Sequence, residues 1–364
     1  MKNLILNPGS TSTKIAVYEG NTQVFAKTAR HPQEELEKFA GIIDQKLYRS
    51  QAVMNACNEH EVNFSEIAGV IAIGGFLRPG SGGVYEVNDL MVHDLTAGTY
   101  GEHAANLGGL MAAEIAARLK TKAYIADPIT TDEMQDVARL SGLPDIVRGG
   151  RIHALNQKAV AALAAKELGI PRESCNLVIA HLGGGISVAA HRGLSIVDAN
   201  DPRGEGPFCM DRCGGVSALE IAKLCFSGKY TKDEMLKRIS GSGGVVAYLN
   251  TRNFTDVINM YNEKDPKAIA VYDALAYQIA KEIGSMAAVL HGKVDAIVFT
   301  GGMSHVECFI DTIKGYTASF ARTLVFPGEF EQEALAAYIT QVQSGEVKPQ
   351  IYVNTSYQVP YTKL

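Results

Sequence analysis

Apolar residues fall into short, largely aliphatic runs that stop at small-residue turns. Leu4-Ile5-Leu6 precedes Asn7-Pro8-Gly9-Ser10, Val70-Ile71-Ala72-Ile73 precedes Gly74-Gly75, and Leu177 to Leu182 precedes Gly183-Gly184-Gly185. Ala296-Ile297-Val298-Phe299-Thr300 precedes Gly301-Gly302, and Gly214-Gly215 marks a further loop. Strands feeding such turns predict an α/β protein whose ligand sits at the strand ends. Between them, apolar positions at three-to-four spacing predict helices over 33–60, 104–119, 155–168, 218–226, 231–239, 267–290 and 331–343. The stretch 267–290 is apolar nearly all round and reads as a buried central helix.

The pattern also repeats. Residues 4–17 form a strand, a small polar turn and a second strand, and residues 177–190 follow the same plan. Each is followed by another short strand, Gln23 to Ala26 and Leu194 to Val197, so each half opens with a β-meander. Two such halves suggest a duplicated fold acting on a nucleotide. The boundary is expected near residue 150, where Arg148-Gly149-Gly150-Arg151 breaks the pattern.

Composition narrows the class. The 364 residues suit two domains. With 46% hydrophobic and 20% charged residues, the balance is that of a soluble globular chain. The net charge of −5 comes from 34 basic and 39 acidic residues, well mixed, so no cationic face is offered to nucleic acid. The N-terminal apolar run is far shorter than the roughly 7–15 residues of a signal peptide, and no window approaches the roughly 18 of a membrane span. A cytoplasmic protein without membrane or nucleic-acid partners is expected. The six cysteines include no CxxC and read as reduced thiols. Cys209 and Cys213 could share a helix face as metal ligands, although no His or Cys partner clusters beside them.

Small residues let backbone N–H groups converge on an anion. The first turn offers Gly9, Ser10, Thr11 and Ser12, with Lys14 close by, as nucleotide-binding candidates. The second offers Gly183, Gly184 and Gly185 with His181. Neither is a Walker A or GxGxxG sequence, and each could be only a tight hairpin. Gly301-Gly302 could admit a ribose or planar ring, or only ease helix-on-strand packing. Asp127 ends a strand before a proline, which biases it away from helix and brings its carboxylate to the strand end; an Asp-Pro pair is also an ordinary turn. His153 stands before a helix, as a catalyst or a cap. Arg212 lies in a Gly-rich loop, as a phosphoryl clamp or a solvated charge. The acidic run Glu329, Glu331, Glu333 could be a solvated helix start.

Taken together, these segments resemble the acetate and butyrate kinase family, part of the superfamily shared by sugar kinases, actin and heat-shock chaperone ATPases. The motifs are LILNPGSTSTK at 4–14, YGEHAANLGG at 100–109, DPITTDEMQDVARLSG at 127–142, IHALNQKAVA at 152–161, AHLGGGISVAAH at 180–191, LCFSGKYTKDEM at 224–235, AYQIAKEIGSMAAVL at 276–290 and IVFTGGMSH at 297–305. They match the butyrate kinases closely and run in the family's order from residue 2 to about 335.

The resemblance implies two similar actin-like ATPase (ribonuclease H-like) domains with a nucleotide cleft between them. These are residues 1–150, with about 335–364 packing back, and residues 151–334, which carry the adenosine site. It implies reversible transfer of the ATP γ-phosphoryl group to butyrate or a similar short or branched-chain acid, giving acyl phosphate and ADP, with Mg2+ and a homodimeric or higher assembly. Asn7, Ser10 and Ser12 would surround the transferring phosphate. Gly183 to Gly185 would lie against the nucleotide phosphates, and Gly301 and Gly302 beside the adenosine. Asp127 would orient Mg2+ or the attacking carboxylate, His153 and Arg212 would stabilise charge on the phosphoryl group, and Glu333 would be the Mg2+-linked carboxylate.

Two departures stand out. Butyrate kinases carry an arginine where this chain has Ile73, and acetate kinases place one near Val70; Arg78 is a candidate substitute. The segment 198–204 is about one residue shorter than the family pattern. The first departure motivates an alternative, a nucleotide-binding paralogue with weak or lost kinase activity. A sugar kinase is a weaker reading, because no second acidic base motif ends a strand.

Overall fold

A computed structural model describes residues Met1–Asn354. Along the chain come β1 (Lys2–Pro8), β2 (Ser12–Glu19), β3 (Thr22–Arg30), α1 (Gln33–Leu36), α2 (Lys46–Glu59), β4 (Ile67–Ile73), β5 (Val84–Glu86), α3 (Asp89–Ala97), α4 (Asn106–Leu119) and β6 (Lys122–Ala126). There follow α5 (Asp136–Arg139), α6 (Ala154–Leu168), β7 (Asn176–Leu182), β8 (Ile186–Arg192), β9 (Ser195–Ala199), α7 (Ala218–Cys225), α8 (Lys232–Ile239), α9 (Val245–Leu249), α10 (Phe254–Asn262) and α11 (Pro266–Val289). The last elements are β10 (Ala296–Gly301), α12 (Glu307–Thr317), β11 (Thr323–Pro327), α13 (Glu331–Ser344) and β12 (Gln350–Ile351).

The first unit comprises Met1–Asp132, Ala154–Ala159 and the described residues from Phe330 on. The expected packing-back segment therefore lies partly, at 355–364, outside the described residues. The sheet of this unit runs β12-β5-β6-β4-β1-β2-β3. Strands β1, β2 and β3 form an antiparallel meander, and β4 and β6 join β1 in parallel. Strand alternation sorts the core onto two faces. Leu4 and Leu6 of β1 pack with α2 and α4, while Ile5 packs with Leu335, Ala336 and Ile339 of α13 and Leu155 of α6. Leu335 and Ile339 are fully buried, worth about 1.5–3 kcal/mol each, and so tie α13 to the sheet.

The second unit comprises Glu133–His153 and Val160–Glu329. Its sheet runs β11-β10-β7-β8-β9. Again an antiparallel meander (β7, β8, β9) is extended by two parallel strands on the β7 side. The plan β3-β2-β1-β4-β6 of the first unit recurs as β9-β8-β7-β10-β11, so the repeat seen along the chain is a repeat of topology.

Three expectations need correction. The helix over 33–60 is broken between α1 and α2. There the Gly41 N–H donates to the Asp44 carboxylate at 2.9 Å, a local turn that competes with helix. Helix α11 is buried on one face only, through Val271, Leu275, Ile279, Ile283 and Met286, while Asp273, Tyr277 and Lys281 are exposed. These three residues, each four apart, form a solvent stripe. Cys209 and Cys213 lie in an irregular loop and not on a helix. No described helix is long and apolar enough to cross a membrane.

Candidate functional site

In the first unit the candidate residues gather at the β1–β2 turn and the end of β6. Asn7 is directly opposite Lys14 in the β1–β2 ladder, so the two side chains share a face of the sheet. The Asn7 amide donates to the Glu331 carboxylate, in the first turn of α13, where the helix dipole favours negative charge. Ser10 is exposed in the turn and Ser12 is half-buried where β2 begins.

Asp127 follows β6 with φ 38°, a left-handed backbone that a non-glycine residue adopts at a cost. Its carboxylate is buried and held from three sides. Oδ1 accepts the Gly83 N–H at 2.7 Å, Oδ2 accepts the Tyr338 hydroxyl at 2.7 Å, and Lys158 Nζ lies 3.8 Å from Oδ1. Tyr338 and Glu331 are about two turns apart on α13, so one helix steadies both acids. Ile73, in the departure from the kinase pattern, is the half-buried last residue of β4, packed against the α13 side of the sheet. Arg78 Nε is bonded to the Tyr100 hydroxyl at 3.0 Å, and Nη2 to Asn354.

In the second unit the β7–β8 turn is the centre. His153 precedes α6 and stacks on His181, with ring centroids 3.9 Å apart and an interplanar angle of 11°. His153 Nδ1 lies 2.9 Å from Ser187 Oγ, which fixes the ring about its axis. Burial lowers the pKa of His181 to about 4, so it is a neutral platform at ordinary pH. A Cβ on Gly185 would stand 2.7 Å from Arg212 Nη1 and 3.6 Å from His153 Cε1, which places both side chains at the glycine turn. The Arg212 loop is held by the Cys209 N–H on Arg212 O at 3.1 Å and by a bridge to Ser240. Thr300 pairs with His181 across β10 and β7, so Gly301 follows beside Leu182. A Cβ there would lie 2.5 Å from Leu182 O, and φ is 88°, so only glycine fits.

The expected residues thus form two sets, one in each unit. Asn7, Lys14 and Asp127 share the first with Ser10 and Ser12; His153, His181, Gly183 to Gly185, Arg212, Gly301 and Gly302 make up the second. Glu333 stands in the first turn of α13. It is exposed and acts on Tyr18, whose pKa burial first and that carboxylate second push up to about 12. Glu331 is the acid on Asn7. Lys158, Tyr338 and Ser187 are participants that the sequence reading missed. Lys158 had a signal, because Asn156-Gln157-Lys158 is a polar triplet in an Ala-rich helix, with Asn156 and Gln157 fully buried.

The duplicated meander and its parallel extensions define the two-domain α/β fold of the actin-like ATPases, in the form that the acetate kinases have. The sequence pattern of the acetokinase family matches residues 145–314. Acetate kinase of Porphyromonas gingivalis superposes with a TM-score of 0.76 at 17% identity, over 94% of this chain and 99% of that one. Propionate kinase of Francisella tularensis gives 0.72 at 16% identity, over 93% and 98%. Acetate kinase of Entamoeba histolytica gives 0.71 at 15%, over 95% and 100%. At these identities the likeness establishes the fold; activity has to be argued from the site.

Proposed function

We propose that this chain is an ATP-dependent carboxylate kinase. It transfers the γ-phosphoryl group reversibly to butyrate or a similar short or branched-chain acid, in the cytoplasm and as a homo-oligomer. The observation that carries the reading is the meeting of Arg212 and His153 at Gly185, two groups able to hold charge on phosphoryl oxygens at a turn bare enough to admit them. The acetokinase pattern over 145–314 and the motifs shared with butyrate kinases support the same conclusion.

The chemistry needs little else. A carboxylate is already a nucleophile; its oxygen forms the bond to γ-phosphorus as the bond to the β,γ-bridging oxygen breaks, and ADP leaves. The work lies in bringing two anions together and spreading charge over the equatorial oxygens. His153, steadied by Ser187 and His181, and Arg212 are assigned to that charge. Asn7, Ser10 and Ser12 position the transferring phosphate. Gly183 to Gly185 lie along the nucleotide phosphates, and Gly301 and Gly302 beside the adenosine.

Asp127 and Glu331 are hard oxygen donors in the first unit. Mg2+ commonly takes only one or two carboxylates beside phosphates and water, so this donor set fits it. Glu331, bonded to Asn7, is preferred to Glu333 for that role. When bound, Mg2+ would neutralise charge on the nucleotide phosphates.

Purified protein with ATP, Mg2+, hydroxylamine and a panel of acids tests the reading. Hydroxamate should form, with highest kcat/KM for acids of about butyrate size. ATP binding without hydroxamate from any acid would sink the kinase and leave the nucleotide-binding paralogue that Ile73 suggests.

A further inference from the structure

Under the turn from Asn7 to Ser12 lies Arg49 of α2, 1% exposed and one of the largest fully buried side chains. Nη1 donates to Gly9 O at 2.7 Å and Ser12 O at 3.2 Å, and Nη2 donates to Ser10 O at 2.7 Å. Gln45 Oε1 fixes the other edge, accepting from Nε at 3.0 Å and Nη2 at 2.8 Å. Thr11 O accepts the His31 N–H at 2.8 Å, and Ser12 O also accepts the Gly9 N–H at 2.8 Å. Four consecutive carbonyls are therefore drawn toward the protein.

The peptide unit is planar and trans, so an N–H points opposite to the C=O of the same unit. The carbonyls of Gly9 and Ser10 share their peptide units with the N–H groups of Ser10 and Thr11. Pulling the carbonyls inward onto Arg49 turns those two N–H groups outward, where they donate to no acceptor among the described residues. Outward amides on successive residues make an anion-binding concavity. The charge matters as well as the geometry. The hydrogen-bond partners of Arg49 are an amide and three carbonyls, with no carboxylate, and a buried cation without a counter-ion is costly.

We propose that Arg49 is the positioning residue of a phosphate nest: it sets the outward amides of Ser10 and Thr11, and the bound phosphate is its counter-ion. The proposal rests on the reading of this turn as the place of the transferring phosphate. His31, beside it, adds no competing charge, because burial and then Arg49 itself lower its pKa to about 4.

Calorimetric titration of ATP with Mg2+, and separately of adenosine, into wild type, Arg49→Met, Arg49→Lys and Gln45→Leu tests this. Arg49→Met should weaken ATP about tenfold or more and leave adenosine within about twofold, because charge-assisted contacts to phosphate are lost and nucleoside contacts are not. Arg49→Lys, which keeps the charge without the fork, should fall between. In a further variant, Arg49→Ala, ethylguanidinium should restore part of the ATP affinity. Folded Arg49→Met with wild-type ATP affinity would overturn the inference, and so would equal weakening of ATP and adenosine. Should Arg49→Met not fold, Gln45→Leu decides: ATP-selective weakening of about threefold supports the nest and unchanged ATP affinity overturns it. Wild type that binds no ATP overturns the kinase reading and this inference together; wild type that binds ATP normally while the variants do too overturns the inference alone.

Discussion

The two hairpin turns occupy equivalent places in their sheets but are organised differently. Between β1 and β2 the residues are Ser and Thr, and order comes from beneath, where a buried guanidinium takes three carbonyls. Between β7 and β8 the residues are glycines, the one internal bond runs from Gly183 N–H to Gly185 O at 3.2 Å, and the charged groups stand against the turn itself. The first turn can carry side chains because its backbone direction is imposed from below. In the second, Arg212 fills the space that a side chain on Gly185 would need, while Gly184 stands in open space. Duplication kept the strand plan and let the source of positive charge change sides.

Both halves nonetheless hide a histidine, and that shared weakness gives the largest expected effect. His31 bonds Thr13 at 2.9 Å and His181 supports His153, each buried with its pKa lowered to about 4. The folded pKa lies below the unfolded value of about 6.5. Between the two values the unfolded chain binds more protons, so stability is intact above about pH 6.5 and falls as pH drops toward 4. Each histidine could remove up to about 3 kcal/mol across that window. Denaturant unfolding at several pH values should show the loss. His31→Gln and His181→Gln should each flatten it; an unchanged slope in both would mean that burial of these rings is not its cause.

The next effect separates the two sets by chemistry. Asp127→Asn and Arg212→Ala should each lower kcat for the carboxylate kinase reaction by about a hundredfold or more, the scale for a charged group acting on the transition state. Asp127 belongs to the first unit and Arg212 to the second, so neither half should compensate for the other. Near-normal turnover in either variant removes that residue from the mechanism.

The strands, the glycine turns and the repeat were legible in the sequence because alternation and turn chemistry are local. The places of Asn7 and Asp127 at strand ends, and of the glycines after β7 and β10, followed from that. Helices α10 and α3 were missed even though Asn253 and Asn88 cap them, accepting the Thr255 and Met91 N–H groups at 3.0 Å each. Arg49, Tyr338 and Ser187 could not be read. Their roles depend on partners brought close only when α2, α13 and β8 dock on their sheets. That Glu331 and not Glu333 bonds Asn7 likewise needed the docked helix, since sequence spacing alone left both acids in its first turn. For Arg49 one faint signal existed: it lies four residues before Val53, on what proves to be the buried stripe of α2.

The finest test asks whether glycine dependence belongs to the second turn alone. A methyl on Gly185 would stand 2.7 Å from Arg212 Nη1. That atom ends a flexible side chain, so the fold can yield by moving it, and the cost falls on the position of the guanidinium. Gly185→Ala should therefore melt within a few degrees of wild type while kcat drops about tenfold, or roughly 1.4 kcal/mol. Gly184 has open space around its Cβ, so Gly184→Ala should keep kcat within about twofold. Gly9, in the first turn, would meet only Ser12 O at 3.6 Å and Ser12 Oγ at 3.9 Å, ordinary contacts, and Gly9→Ala should behave like Gly184→Ala. Equal kcat losses at positions 9, 184 and 185 would show that both turns depend on backbone bareness and that the contrast drawn from Arg49 and Arg212 is mistaken. A loss at Gly185 alone would place the phosphoryl-facing charge of the second unit at Arg212.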